Sequence, residues 1–372
     1  MNIALCARTS LFEDMGGDTI QISKYRDGLD RRHARVMLST AYLPDITHAD
    51  VVHCFNIQVV GQTHAQILAA KRMNKPVVFS PIYWNMCEYH DFRQRHAAML
   101  GNSPAKEWAK HHWNAHYDCL RGLVRHSPRR EQARTLVRLL VKGRYGMQAE
   151  CLRMADLILV SAPSEKAMLV RDFNLSNPAK VKVLPNGIDP KFYRPSPEGF
   201  TRHFDFKGFV LCVGRVEPHK NQISLIQAIQ SLPYPLVIIG TQRDPRYLHL
   251  CQRADRGKTR FMGYVPHAML PSAYAAARAH VLASWFDIPG LVNLEAGVAG
   301  CNVATTDRGS AADYLGREAW YLQPNDLESI RSAVGGAMES PRQPHLAERL
   351  REEYSWDRVA HQLWEHYQTV AG

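Results

Sequence analysis

The sequence predicts an α/β protein built from two doubly wound parallel sheets. Three observations carry that expectation. The chain has 372 residues, more than one ordinary core needs and about right for two α/β domains. Short runs are apolar at nearly every position, which suits strands buried on both faces, as in a parallel sheet. Helical patterns separate those runs in both halves, the rhythm of doubly wound domains.

In the first half, strands are expected at 2–7 (NIALCA), 35–39 (RVMLS), 50–55 (DVVHCF), 76–80 (PVVFS) and 156–161 (DLILVS). Helices are expected at 18–31 after Gly16-Gly17, at 62–73, and over a long region from about 86 to 153. The second half gives strands at 208–214, 235–240, 259–263, 279–284, 302–306 and 320–322, with helices near 221–231, 268–277, 291–300 and 326–338. Pro185 and Asn186-Gly187 in LPNGIDP (184–190) punctuate the chain and mark the joint. The first domain is expected over 1–180, with a helical basic insertion at about 86–153, and the second over 181–354. In such folds a ligand belongs at the carboxyl ends of the strands.

Composition excludes several classes. Apolar residues make up 45% and charged residues 22%, ordinary for a folded chain, and no fixed-period repeat is evident. The eight Cys, at 6, 54, 87, 119, 151, 212, 251 and 301, include no C-x-x-C pair. Neither a zinc knuckle nor a redox motif is indicated, and buried thiols in a reducing compartment are the plain reading. MNIALCARTS is too short in apolar length for a signal peptide and nothing approaches a membrane span. A cytoplasmic protein is expected. The formal charge is +11, and residues 121–153 hold nine basic residues against Glu131 and Glu150. A cluster of that kind seeks phosphate on nucleic acid, on a membrane surface or on an acceptor.

Three stretches have the chemistry of an anion and sugar site. In VLCVGRVEPHKN (210–221) a buried strand ends at Gly214, and Arg215, Lys220 and Asn221 precede an amphipathic helix. A planar fork, a point charge and a helix N-terminus together suit a doubly charged anion; a solvated basic loop is the plainer alternative. In SWFDIPGLVNLEAGVAG (284–300), Asp287 lies in a loop with Gly290, and Glu295 sits about one turn into the next helix. Glycine lets backbone approach a ligand closely. A carboxylate at Glu295 can accept hydrogen bonds from vicinal hydroxyls, or merely complement the helix dipole. In MGGDTIQ (15–21), Gly16 and Gly17 open a helix after the first strand. They permit close phosphate approach or form a plain turn.

Taken together these stretches resemble the retaining GT-B glycosyltransferases of glycosyltransferase family 4, also called glycosyl transferases group 1. The likeness is strong over 181–340 and weaker toward the N-terminus. VGRVEPHKN is similar to the family's diphosphate motif and SWFDIPGLVNLEAGVAG to its E-x7-E motif. YSWDRVAHQLWEHY (354–367) is similar to the closing helix that crosses back onto the first domain, so 355–372 is expected there.

The resemblance implies two Rossmann-like domains facing a central cleft. It gives Arg215 and Lys220 to the diphosphate, Glu295 to the ribose and Asp287 to the hexose, and these four form the expected catalytic set. Gly290 and Leu291 would contact donor oxygens, and Gly16 and Gly17 would border the diphosphate. Gly214, Gly240 and Thr241 would edge the donor, and Met262 and Tyr264 would lie near the base. The donor would be a nucleoside diphosphate sugar, with a glycan or lipid-linked acceptor. No Asp-x-Asp occurs, and no obligate metal or other cofactor is expected. Two positions depart from the family's pattern. Asp287 replaces its first Glu, and Ile82 stands where a His is usual.

Tyr83, Trp84 and His53 are candidates for the acceptor or sugar side, with a satisfied strand-end histidine equally open for His53. His112 and His116 are spaced i,i+4, as a metal pair or a polar helix face. From 129 to 142, Ala133, Leu136, Val137 and Leu140 form an apolar stripe beside Arg130, Arg134, Arg138 and Lys142. Either that helix meets an anionic membrane surface or a phosphorylated acceptor, or its stripe joins the core. Nucleic acid is not expected as a partner, because the basic segment lacks aromatic interleaving or a recognised module. The leading reading is a retaining hexosyltransferase of bacterial surface polysaccharide or lipopolysaccharide synthesis, peripheral on the inner membrane face. The alternative is an inactive GT-B protein that binds nucleotide or glycan beside an active transferase.

Overall fold

Residues 1–98, 100, 102–109, 112–113, 115–116, 129–204 and 208–372 are described by the structure, a computed structural model. Cys119, Arg121 and Arg125 lie outside these residues. The chain runs β1 (Asn2–Cys6), α1 (Gly17–Asp30), β2 (Arg35–Ser39), β3 (Val51–Phe55), α2 (Val60–Arg72), β4 (Val77–Ser80), α3 (Cys87–Arg95), α4 (Arg129–Met154), β5 (Leu157–Val160), α5 (Pro163–Phe173) and β6 (Val181–Val183). It continues through α6 (Glu198–Phe204), β7 (Val210–Val213), α7 (Gln222–Ile229), β8 (Leu236–Ile239), α8 (Pro245–Ala254), β9 (Thr259–Gly263), α9 (Leu270–Ala276), β10 (Ala279–Leu282) and α10 (Leu291–Val298). The last elements are β11 (Asn302–Thr306), α11 (Ala311–Leu315), β12 (Trp320–Leu322), α12 (Leu327–Glu339), α13 (Pro344–Glu353) and α14 (Trp356–Ala371).

The strands form two six-stranded sheets, ordered β2-β1-β3-β4-β5-β6 and β12-β11-β10-β7-β8-β9, with parallel pairing throughout. β3, β4, β5, β7, β8, β10 and β11 are buried at every position. That burial is why β4, β5, β7 and β8 are apolar almost throughout rather than alternating. In the first sheet the strand order reverses between β1 and β3. In the second it reverses between β7 and β10. Loops leaving the carboxyl ends of strands at such a switch point form the crevice where open α/β sheets hold ligands.

Two compact units result. One holds Met1–Asn85, Ala105–Gly187 and Trp356–Gly372; the other holds Met86–Pro104 and Ile188–Ser355. The boundary therefore falls after Gly187 rather than after residue 180, because Val181–Val183 pairs with β5 as the sixth strand of the first sheet. Residues 86–104, expected within the first domain, belong to the second unit. Tyr89 and Phe92 of α3 pack on Trp285, with ring centroids 6.2 and 4.2 Å apart, and Glu88 takes both guanidinium branches of Arg308 at 3.0 and 3.1 Å.

Helix α14 packs in the first unit against α1, so closely that a Cβ on Gly28 would lie 2.4 Å from the Ala360 methyl. The basic region is not one continuous helix. α4 starts at Arg129 and breaks helical geometry at Gly143, with φ 67° and ψ 171°. Of its apolar stripe, Leu136 packs against the core. α4 turns Gln132, Thr135 and Leu139 inward, leaves Leu136 half-buried, and exposes Ala133, Val137 and Leu140.

Candidate functional site

The site grows from the two strands that flank the switch point of the second sheet. β7 ends at Val213, and the loop after it closes in a short 3-10 turn over Pro218–Lys220. β10 ends at Leu282, and its loop carries Asp287. Trp285 donates its backbone N–H to the His219 carbonyl at 2.9 Å, and the His219 ring meets the Phe286 carbonyl at 2.8 Å. Held together in this way, the loops place the Lys220 ammonium 2.6 Å from Asp287 Oδ1.

A third loop fixes the carboxylate. Asp287 N–H donates to the Arg308 carbonyl at 3.3 Å, and Ser310 N–H donates to the Asp287 carbonyl at 3.0 Å. Between them Gly309, at φ 115°, leaves no room for a side chain, since a Cβ would lie 2.1 Å from the Asp287 carbonyl oxygen. The second carboxylate oxygen, Oδ2, is buried with no hydrogen-bond partner, as are Ser284 Oγ and Ser310 Oγ. Unpartnered buried acceptors are costly and rare in folded chains. Their concentration here gives this corner unused capacity for a ligand's hydroxyl groups.

Arg215 and Lys220, the cations expected at a diphosphate, both have acidic partners that the sequence did not reveal. Lys220 pairs with Asp287, and Arg215 pairs with Glu217 at 3.1 Å. Burial pushes the Glu217 carboxyl up, but the adjoining His219 and Arg215 outweigh it and hold the group below the usual carboxylate range. An anion arriving at this edge competes with two carboxylates for the same cations.

Gly290 caps α10 in the left-handed region, φ 71° and ψ 66°. A Cβ there would approach the Asn293 amide nitrogen to 2.8 Å. That amide in turn donates to Thr305 Oγ1 at 3.0 Å, so the glycine keeps the entry to α10 tight. Leu291 is the first residue of α10, and Glu295 is its fifth, about 6 Å further along the axis. Glu295 is 7% exposed. It accepts a hydrogen bond from the Tyr274 hydroxyl at 3.3 Å and lies 3.7 Å from His267 Nε2. Burial, reinforced by Glu295, raises the Tyr274 phenol well above its ordinary value and keeps it a donor.

The neighbouring strand ends complete this edge. A Cβ on Gly240 would stand 1.9 Å from the Gly214 carbonyl oxygen, so the chain after β8 passes directly over the chain after β7. Gly240 N–H donates to the Gly263 carbonyl at 2.8 Å, which sets Thr241 beside the end of β9. Met262 there is half-buried, and Tyr264 is 70% exposed.

The candidates in the first unit fare differently. Gly16 caps α1 in extended conformation, and Thr19 Oγ1 accepts its N–H at 3.1 Å. A Cβ on Gly17 would meet nothing. The loop before them is tied by Arg8, which grips Asp18 at 2.7 and 3.1 Å. His53 fits the alternative of a satisfied histidine: it is fully buried in the middle of β3, with Nδ1 at 2.6 Å from the Tyr367 hydroxyl and Nε2 at 2.9 Å from Ser80 Oγ. Burial lowers its pKa to about 3. Tyr83 is likewise turned inward, donating its hydroxyl to Asp172 at 2.9 Å and its backbone N–H to Glu165 at 2.8 Å. Trp84 is half-buried beside it. Ile82, between them and β4, holds φ 51°, a strained conformation for a β-branched residue. His112 stacks on Trp108 and His116 lies against Trp113.

Sequence reasoning missed Gly309, Tyr274, His219, Glu217 and the Glu88–Arg308 pair. Only Gly309 had a local signal, the turn-like RGS, and it points to no partner.

Residues 200–354 match the family model described as Glycosyl transferases group 1. The chain is 32% identical over 200 residues to the O-antigen chain mannosyltransferase B of Escherichia coli, covering 50% of this chain and 52% of that protein. It thus spans about half the length of the curated relative it matches. Across its whole length it resembles sucrose-phosphate synthase from Thermosynechococcus elongatus, with TM-score 0.72 and 16% identity, covering 100% and 99% of the two chains. It also resembles Anabaena HepE in complex with UDP-glucose, with TM-score 0.71 and 14% identity, covering 99% and 100%. Residues 200–354 thus carry a match to the glycosyl transferases group 1, and the whole chain has the GT-B fold.

Proposed function

We propose that the chain is a retaining hexosyltransferase, moving a hexose from a nucleoside diphosphate sugar to a glycan or lipid-linked acceptor without an obligate metal. The observation that carries this reading is the Lys220–Asp287 pair at 2.6 Å, joining the loops of β7 and β10 at the switch point. Arg215 and Lys220 bind the diphosphate and stabilise the charge that grows as the bond from the anomeric carbon to the phosphate oxygen breaks. The acceptor hydroxyl attacks that carbon from the same face, and its proton passes to the leaving phosphate. Asp287 orients the hexose with its unpartnered Oδ2. Glu295 holds the ribose, kept in place by Tyr274, while Gly290 and Leu291 offer backbone to donor oxygens. Gly214, Gly240 and Thr241 edge the donor, and Met262 and Tyr264 flank the base.

The Escherichia coli relative is by name an O-antigen chain mannosyltransferase. It supports a place in bacterial surface polysaccharide or lipopolysaccharide synthesis, on the cytoplasmic side of the membrane. HepE holds UDP-glucose, so GDP-mannose and UDP-glucose are the first donors to compare. A thermal-shift screen over GDP, UDP, ADP and their sugars tests the site. Stabilisation by one base, lost in Lys220→Ala and Glu295→Ala, supports the reading, and no shift with any of them sinks it. The left-handed Ile82 and the Asp at 287 motivate a second reading, an inactive GT-B protein that binds nucleotide beside an active transferase. Donor hydrolysis or transfer abolished in Lys220→Ala rejects it.

A further inference from the structure

The two strands at the switch point of the second sheet part before they end. β7 and β10 pair only as Val210 with Ala279 and Leu211 with His280. Each runs on, to Val213 and Leu282, in register with its outer neighbour: Val213 with Ile239 of β8, and Leu282 with Thr305 of β11. Backbone N–H groups along β7 alternate between its two sides. Gly214 N–H donates to the Ile239 carbonyl of β8 at 2.9 Å, so Val213 N–H points toward β10. Pairing has already stopped there, and Val213 N–H donates instead to Nε2 of the buried His280 ring at 3.3 Å.

The rest of the ring is held as closely. Burial lowers its pKa to about 3, so the ring is neutral at pH 7. With Nε2 accepting, the proton is assigned to Nδ1. The ring also bonds the Asn293 side chain. Asn293 in turn donates its amide to Thr305 Oγ1 at 3.0 Å and its backbone N–H to the Gly290 carbonyl at 2.8 Å, which fixes the first turn of α10. Tyr274, whose hydroxyl holds Glu295, stands edge-on to the imidazole with ring centroids 5.6 Å apart. The other residues of β10 are Ala279, Val281 and Leu282. An apolar residue at 280 would match them, yet it would leave Val213 N–H to close onto β10 or to stay buried and unpaired, at a cost.

We infer that His280 is a positioning residue whose ring wedges β7 and β10 apart at the switch point. It sets the separation of the loop that carries Arg215 and Lys220 from the loop that carries Asp287 and Gly290. Through Asn293 and Tyr274 it also orients the helix that presents Glu295. The consequence for donor binding rests on the transferase reading; the wedge itself does not.

The test compares the full chain with His280→Gln and His280→Leu. Gln can place Oε1 where Nε2 stands and turn its amide to Asn293, whereas Leu can do neither. Titration calorimetry with GDP, UDP and ADP reads the site, and ligand-free amide hydrogen exchange over 213–216 and 290–293 reads the wedge. In His280→Leu, affinity for whichever nucleotide binds the parent chain should fall roughly tenfold or more, and exchange in both segments should change. His280→Gln should stay within about threefold of the parent and keep its exchange. Should His280→Leu fail to fold, Asn293→Ala decides, with about a threefold loss of affinity expected and parent affinity overturning the inference. Unchanged affinity or unchanged exchange in His280→Leu overturns it, as does a Gln variant that falls as far as Leu, since the ring would then be a structural residue only. A parent chain that binds none of the three nucleotides sinks the transferase reading, and exchange alone then decides for or against the wedge.

Discussion

The carboxyl ends of the two sheets carry similar inventories of polar residues and use them in opposite ways. At the end of the first sheet the polar groups are spent on one another. Tyr83 is bonded to Asp172 and Glu165, and Glu165 also accepts from Ser161 N–H and Oγ at 2.8 and 2.7 Å. At the end of the second, Lys220 and Asp287 meet in an edge where three buried acceptor or hydroxyl atoms remain unpartnered. Polar residues near a strand end are therefore no guide to a ligand site by themselves. What separates scaffold from site is whether the hydrogen-bond capacity is already used.

The largest expected effect tests that contrast directly. Lys220→Ala should lower transfer by about a hundredfold to a thousandfold. Tyr83→Phe should leave turnover near the parent value and cost about 1 kcal/mol of stability. Steady-state kinetics beside urea unfolding would show it, and equal kinetic losses in the two variants would erase the distinction.

Acid stability probes the interior of both sheets. His53 and its counterpart His280 in β10 are buried, and burial lowers each from 6.5 to about 3. They fold neutral, while the unfolded chain takes up protons below 6.5. Their contribution is complete above that pH and is lost as pH falls toward 3. Each should add a slope of about 1.4 kcal/mol per pH unit in this window. Denaturation midpoints between pH 7 and 5 should flatten by one such slope in His53→Gln.

Gly309→Ala should lower stability by roughly 2 kcal/mol or more, through backbone strain and a clash with Asp287. Nucleotide-dependent thermal shift should fall with it, whereas Gly17→Ala, which meets no atom, should preserve both. The smallest effect belongs to Glu88→Gln. Its pairing with Arg308 is partly exposed, and about 1 kcal/mol or less is expected by double-mutant cycle with Arg308→Gln.

How much was legible in the sequence follows the same division. Buried strands such as β4, β5, β7 and β8 were readable because each is apolar almost throughout. Val181–Val183 escaped because it is an edge strand of three residues with only Val181 buried. Helix α8 escaped although Asp244 caps it, Pro245 opens it and Tyr247, Leu248, Cys251 and Ala254 line one apolar face. Lys220, Asp287 and Glu295 were found as members of local motifs. Their partners were not, since Asp287–Gly309 and Glu88–Arg308 join segments distant in the chain. The outward turn of Val137 and Leu140 was equally hidden, because periodicity locates a stripe and not the side on which the core lies.

The chain leaves the first unit at Gly187 and returns to it at Trp356. During synthesis, the first unit is thus begun first and completed last. Tyr367, which caps His53, emerges only after every strand of the second sheet has been made. Domains made on the ribosome usually settle in order from the N-terminus; here the earlier one must wait, missing a helix, until the second has been made.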